Sequence, residues 1–180
     1  MRKNSLRHLY VDELKDLYSA EMQMVKALPK LAKASSSGEL RQAFEEHVRQ
    51  TSEQVSRLEE IFEMLDEKPA GKKCLGMEGL VKECMETTKE TYDGALMDAA
   101  LIAAAQRIEH YEIAGYGTAR AFAELLGEAD HVNLIEQTLQ EEKQADEKLT
   151  RLAEEINARA MQKVTTQDAG TGKAVSRRAA

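Results

Sequence analysis

The sequence predicts an all-α fold, an antiparallel four-helix bundle with one long connection between its second and third helices. Three observations carry this. Apolar residues recur at intervals of three and four along four long stretches. Alanine, leucine, glutamate and lysine, all good helix formers, dominate the composition. Only two prolines interrupt 180 residues, and aromatic residues make up just 4%.

The first long helix covers about 6–33, with Leu14, Leu17, Met24, Val25, Leu28 and Leu31 along one side. Ser35, Ser36, Ser37 and Gly38 break it, and serine there suits the cap of the next helix. That second helix covers about 38–66, with Phe44, Val48, Val55, Leu58, Ile61, Phe62 and Leu65 on one side. Pro69 and Gly71 forbid its continuation. The connection 67–93 is basic and flexible at KPAGKKCLG, then helical over MEGLVKECMETTKE. A third long helix covers about 95–126 and stops at Gly127. The fourth covers about 129–162, with Leu134, Ile135, Leu139, Leu149, Leu152 and Ile156 in line. Beyond it TTQDAGTGKAVSRRAA is small, polar and basic, so the chain divides into a helical domain, 1–162, and a flexible basic tail, 163–180. Short loops imply antiparallel neighbours, and a single long crossover is the ferritin-like way to complete four helices. RLEEI at 57–61 returns as RLAEEI at 151–156, a weak sign of a repeated hairpin.

The formal charge of −7 argues against nucleic acid as the partner of the whole domain. Lys173, Arg177 and Arg178 leave only the tail for such contacts. No apolar run has the length of a membrane span, and the N-terminus lacks the apolar core of a secretory signal. A cytoplasmic protein is expected. Cys74 and Cys84 are too few for a disulfide scaffold or a four-cysteine metal centre. They are expected as free thiols; the alternatives are pairing with each other or with another chain.

QRIEHYEIAGYGTARAFAELLG, 106–127, is the strongest helical stretch, yet it carries Glu109 and Glu112 near its apolar face. A buried carboxylate without a partner is costly. In an antiparallel hairpin, residues equally far from the loop lie at one height. With loop centres near 36 and 128, Glu21 is level with about 51 and Glu112 with about 144. Each residue rises ~1.5 Å, so register errors amount to a few ångströms. One layer thus receives Glu21 from the first helix, Gln50 or Gln54 from the second, Glu109 and Glu112 from the third, and Glu142 and Asp146 from the fourth. His47 lies a turn nearer the loop. It reads as a metal ligand, a donor to a ligand, or a satisfied structural residue. Converging carboxylates need a cation, and hard oxygen-rich sites suit iron or manganese. The competing reading is a Glu–Lys/Arg network or a wet groove. Glu45, Glu46, Glu53, Glu59, Glu60, Glu141 and Glu147 are expected on solvated faces. Tyr18, Tyr111 and Tyr116 lie near the layer, as packing or as hydrogen-bond donors. His131 is expected at the surface. Gly115 and Gly117 suit close helix approach or local flexibility.

LYSAEMQMVKALPKLA at 17–32, CLGMEGLVKE at 74–83, DAALIAAAQRIEHYEIAGYGTARAFAELLG at 98–127 and LIEQTLQEEKQADEKLTRLA at 134–153 resemble the ferritin-like YciE/YciF family of bacteria over about 5–160. The resemblance implies a dimeric ferritin-like bundle with a dinuclear centre of two iron ions, or of manganese, and a link to stress responses. More distant relatives, the rubrerythrins and bacterioferritins, supply a glutamate from the first and third helices and Glu-x-x-His from the second and fourth. By that match Glu21 and Glu112 are bridging ligands, Glu109 is a terminal one, and Glu142 is the fourth-helix glutamate. Asp146 stands for the last histidine at a shifted spacing. Gln50 and Gln54 occupy the second helix in place of the motif, which weakens the second metal position. The implied chemistry is oxidation of Fe(II) by dioxygen or reduction of peroxide. A non-catalytic dimeric module with a vestigial site is the rival, and whether the chain turns over a substrate stays open.

Overall fold

The computed structural model describes residues 5–69, 72–92 and 94–170, with side chains to 162. Its elements are α1 (Leu6–Ala34), α2 (Gly38–Met64), α3 (Leu75–Thr87), α4 (Gly94–Leu126) and α5 (Ala129–Gly170). No strand occurs among the described residues. The last helix runs past 162, and residues 171–180 of the expected tail lie outside the described residues.

Local chemistry sets the boundaries. Ser5 Oγ accepts from His8 N at 3.2 Å and starts α1. Ser37 Oγ receives Leu40 N at 3.4 Å and starts α2. Each hydroxyl satisfies one of the donors that a helix start leaves unpaired. After α2 the backbone turns left-handed at Asp66 (φ 53°), and after α4 at Gly127 (φ 77°). The α1–α2 corner is further held by Asp98 of α4. Its buried carboxylate accepts Ser36 N at 2.7 Å and Ser37 N at 2.9 Å.

The long helices form a square in which each neighbour is antiparallel. Gly115 of α4 lies against Leu17 of α1, while Asp98 meets the far end of α1. Arg57 of α2 reaches Thr138 of α5, while Glu46 meets Lys148. α1 pairs with α2 and α4 with α5, and the crossover helix α3 lies outside on α1 and α4. A Cβ on Gly115 would stand 2.7 Å from Leu17 Cδ2, so this glycine lets α1 and α4 close up. Gly117 has open space around it and plays no such part.

The core is divided in two. One cluster holds Met24, Leu28, Leu31, Phe44, Leu101, Ile108 and Leu149 with the α3 residues Met77 and Cys84. The other holds Tyr10, Leu14, Leu17, Leu58, Phe62, Tyr116, Ala123 and Leu139. Along every long helix the interruption falls at one height. There Glu21, Thr51, Gln54, Glu109, Glu112 and Glu142 are all buried. Cys74 and Cys84 are free and buried in the first cluster.

His131 departs from the surface position expected of it. It is 3% exposed, with Nδ1 3.2 Å from Tyr10 Oη. Its partner comes from the other end of the chain, so no local pattern announces it.

Asp98→Ala should lower stability by ~2–4 kcal/mol, because two backbone donors lose a charged acceptor. Urea denaturation monitored by circular dichroism measures it. A loss below about 0.5 kcal/mol would mean the corner does not need this contact.

Candidate metal centre

Ligand atoms of His47, Glu109, Glu112 and Glu142 all lie within 4.8 Å of one another. Groups that share one ion at about 2 Å stand up to about 4 Å apart, so this spacing is close to that of a ligand set. All four residues are buried: His47 is 6% exposed, Glu109 and Glu112 1%, and Glu142 0%. Glu109 Oε2, Glu112 Oε1 and Glu142 Oε2 have no hydrogen-bond partner. Buried oxygens are normally satisfied, so three orphans facing one point fit a cation. Three carboxylates and an imidazole are also the donors that iron, manganese and zinc accept.

Helical spacing explains how the residues converge. Glu109 and Glu112 are three apart on α4 and share a face. On α2 the inward stripe is His47, Thr51 and Gln54, at i, i+4 and i+7. Gln50 is off that stripe and half-buried. Its Oε1 lies 3.2 Å from His47 Nδ1, behind the imidazole rather than among the ligand atoms. A proton on Nδ1 shared with Gln50 leaves the Nε2 lone pair pointing inward, 3.5 Å from Glu109 Oε2 and 3.8 Å from Glu142 Oε2. Gln54 is fully buried and gives its Nε2–H to Glu142 Oε1 and, at 3.2 Å, to Glu141 Oε2. As oriented it fixes a ligand instead of being one, although its own Oε1 is unpartnered.

Glu21 sits beside the four. It is 1% exposed and accepts Tyr116 Oη at 2.5 Å. Burial, then repulsion from Glu142, raises its carboxyl well above the usual range. Glu109 is raised by burial and then Glu142, and Glu112 by burial and then Glu21. Glu112 thus feels Glu21 on one side and Glu109 and Glu142 on the other.

Asp146 is placed differently from the expectation. Its Oδ1 accepts Gln106 Nε2 at 2.9 Å and lies 3.5 Å from His110 Nε2, on the outer seam of α4 and α5. It lies one turn from Glu142 on α5, but its carboxylate is taken up by Gln106 and His110 rather than by the buried layer. Glu141 corrects the expectation in the opposite sense. It is held by Arg57 through two 2.7 Å bonds and is not a solvated surface acid. Thr51 lies on the inner side of α2, as the sequence indicates, whereas Arg57 was not anticipated; its place three residues after Gln54 is the signal that could have revealed it. Of the three tyrosines only Tyr116 bonds a carboxylate of the layer. Tyr18 donates to Glu59 at the surface, and Tyr111 donates to Asp16 at 2.7 Å.

These features define a class, a helical bundle cut across by a layer of buried acids with one histidine. The chain belongs to the family described as a domain of unknown function, DUF892, whose pattern matches residues 5–162. It is 44% identical over 154 residues to Protein YciF of Escherichia coli strain K12, covering 85% of this chain and 93% of that one. The crystal structure of the E. coli stress protein YciF superposes with a TM-score of 0.84 at 43% identity, over 86% of this chain and 98% of that chain. YcfI from Rhodopseudomonas palustris, described as a candidate structural protein, superposes with a TM-score of 0.80 at 41% identity, over 83% and 96%. No helix among the described residues is long and apolar enough to cross a membrane.

The raised carboxyls set the pH dependence of the metal-free protein. The folded chain keeps protons that the unfolded chain, with values near 4.5, releases. Their contribution to stability is therefore full below about pH 4.5 and is lost as pH rises through the folded values. In chelator, Tm should fall as pH rises above about 4.5, and Glu112→Gln should raise Tm on the alkaline side. A glutamine that lowers Tm there would mean the Glu112 charge is already compensated by protein groups.

Proposed function

We propose that the layer is a dinuclear metal centre, of iron or else manganese, in a ferritin-like bundle. The observation that carries this is the set of unpartnered, buried carboxylate oxygens converging with His47. Two hairpins joined by a crossover that contains α3 support the ferritin-like part of the reading.

Charge supports two ions over one. Glu21, Glu109, Glu112 and Glu142 together balance two divalent cations, whereas each uncompensated buried charge costs several kcal/mol. His47, Glu109, Glu112 and Glu142 would hold one ion. Glu21, Glu112 and Glu142 would hold the second, with Glu112 and Glu142 shared. When bound, such a pair supplies one-electron chemistry toward dioxygen or peroxide. The chain's own part is to keep the ligands in place. Tyr116 donates to Glu21, Gln50 sets the His47 tautomer, and Gln54 anchors Glu142 from the Arg57–Glu141 pair. Burial excludes bulk water from the Tyr116–Glu21 and Gln54–Glu142 bonds.

A second reading is favoured by one specific observation. The amide of Gln54 gives a hydrogen to Glu142, where the Glu-x-x-His pattern would bring an acid. A weakly held second ion would leave a structural module without turnover.

Metal analysis after anaerobic loading with Fe(II) should give about two ions per chain, and about one in His47→Ala. Iron oxidised by peroxide faster than free iron in buffer supports turnover. Bound iron that peroxide leaves ferrous supports the structural module, and an empty wild-type chain contradicts both readings.

A further inference from the structure

The two helices that face each other across His47 do not close completely. A cleft of about 200 Å³ opens between α2 and α5. Phe44 and Ala145 are among its walls, and its floor includes His47 and Glu109. Glu109 is 1% exposed and its Oε2 has no hydrogen-bond partner, so an unsatisfied buried acceptor lines a cavity that reaches solvent. Ala145, a small side chain, lines the opening together with Phe44.

The mouth carries an ion pair. Lys148 of α5 donates to Glu46 of α2, with side-chain exposures of 42% and 38%. The ammonium is the reason Glu46 lies below the usual carboxylate range, followed by its bond from Gln42. An exposed pair of this kind adds little to stability, so it opens readily. A second groove shares Glu46, Gln50 and Glu141 with the cleft and adds Arg49 and Glu53. Glu141 is neutralised by Arg57. The rim therefore has little net charge, and the acid of the cleft that is paired across its mouth is Glu46.

We propose that this cleft is the port by which a divalent cation reaches the centre, and that the Glu46–Lys148 pair gates it. The inference rests on the metal-centre reading above. A hydrated cation exchanges with Lys148 on Glu46, passes the Gln50 amide oxygen and is delivered to Glu109 and His47. No bond of the protein is made or broken, and the lysine keeps its proton. Lys148 is thus the group that limits entry, and Ala145 is the one that keeps the passage wide enough.

The test follows Co(II) loading of the metal-free full chain by stopped-flow absorption of the bound cobalt, with the final stoichiometry measured separately. Lys148→Met, a change at the surface, should load several-fold faster than wild type. Ala145→Phe should load about tenfold slower or worse. Both should end at the wild-type stoichiometry, and circular dichroism should report unchanged helicity. With full stoichiometry, loading of Lys148→Met at the wild-type rate overturns the gate, and loading of Ala145→Phe at the wild-type rate overturns the port, each while leaving the centre intact. A wild-type chain that binds no cobalt removes the centre and the port together.

Discussion

Four carboxylates in the dry middle of a helical bundle are the constraint on which the rest of this structure depends. Burial raises the cost of every negative charge, and the nearest permanent cation, Arg57, is already paired with Glu141. Two routes relieve that charge: the acids keep their protons, or a cation enters. The surrounding contacts favour neither collapse nor exposure. Tyr116, Gln54 and Gln50 each hold one member of the layer, and all three are themselves placed by helices packed on both sides.

The two apolar clusters take their meaning from that layer. Each is a complete helical core of leucines, isoleucines and aromatics. Together they fix the heights of the helices, so the acids meet in one layer against their mutual repulsion. Stability is generated above and below the layer, and part of it offsets the layer's repulsion. Perturbed, buried acids of this kind cluster at binding sites. The Gly115–Leu17 contact serves the same end, since it draws α4 toward α1 beside the Tyr116–Glu21 bond.

Height along the bundle was legible in the sequence, and rotation about each helix was less so. Short loops convert chain distance into depth, which is why Glu21, Glu109, Glu112 and Glu142 can be placed in one layer before any coordinates. Which side of α2 faces inward is harder, because His47, Gln50, Thr51 and Gln54 are all polar and the usual apolar signal is missing. The answer, His47 with Thr51 and Gln54, follows from packing on both flanks. Asp146 shows the same difficulty on α5. Contacts between distant segments were illegible for another reason. The Arg57–Glu141 and Tyr10–His131 pairs join residues 84 and 121 positions apart, and neither leaves a local pattern.

The account turns on whether cations occupy the layer. Anomalous diffraction from a crystal soaked in Mn(II), recorded on both sides of the manganese edge, tests this most directly. The account predicts one peak among His47, Glu109, Glu112 and Glu142 and a second among Glu21, Glu112 and Glu142. A layer without anomalous density, its carboxyls hydrogen-bonded to one another or to water at full manganese saturation, would contradict it.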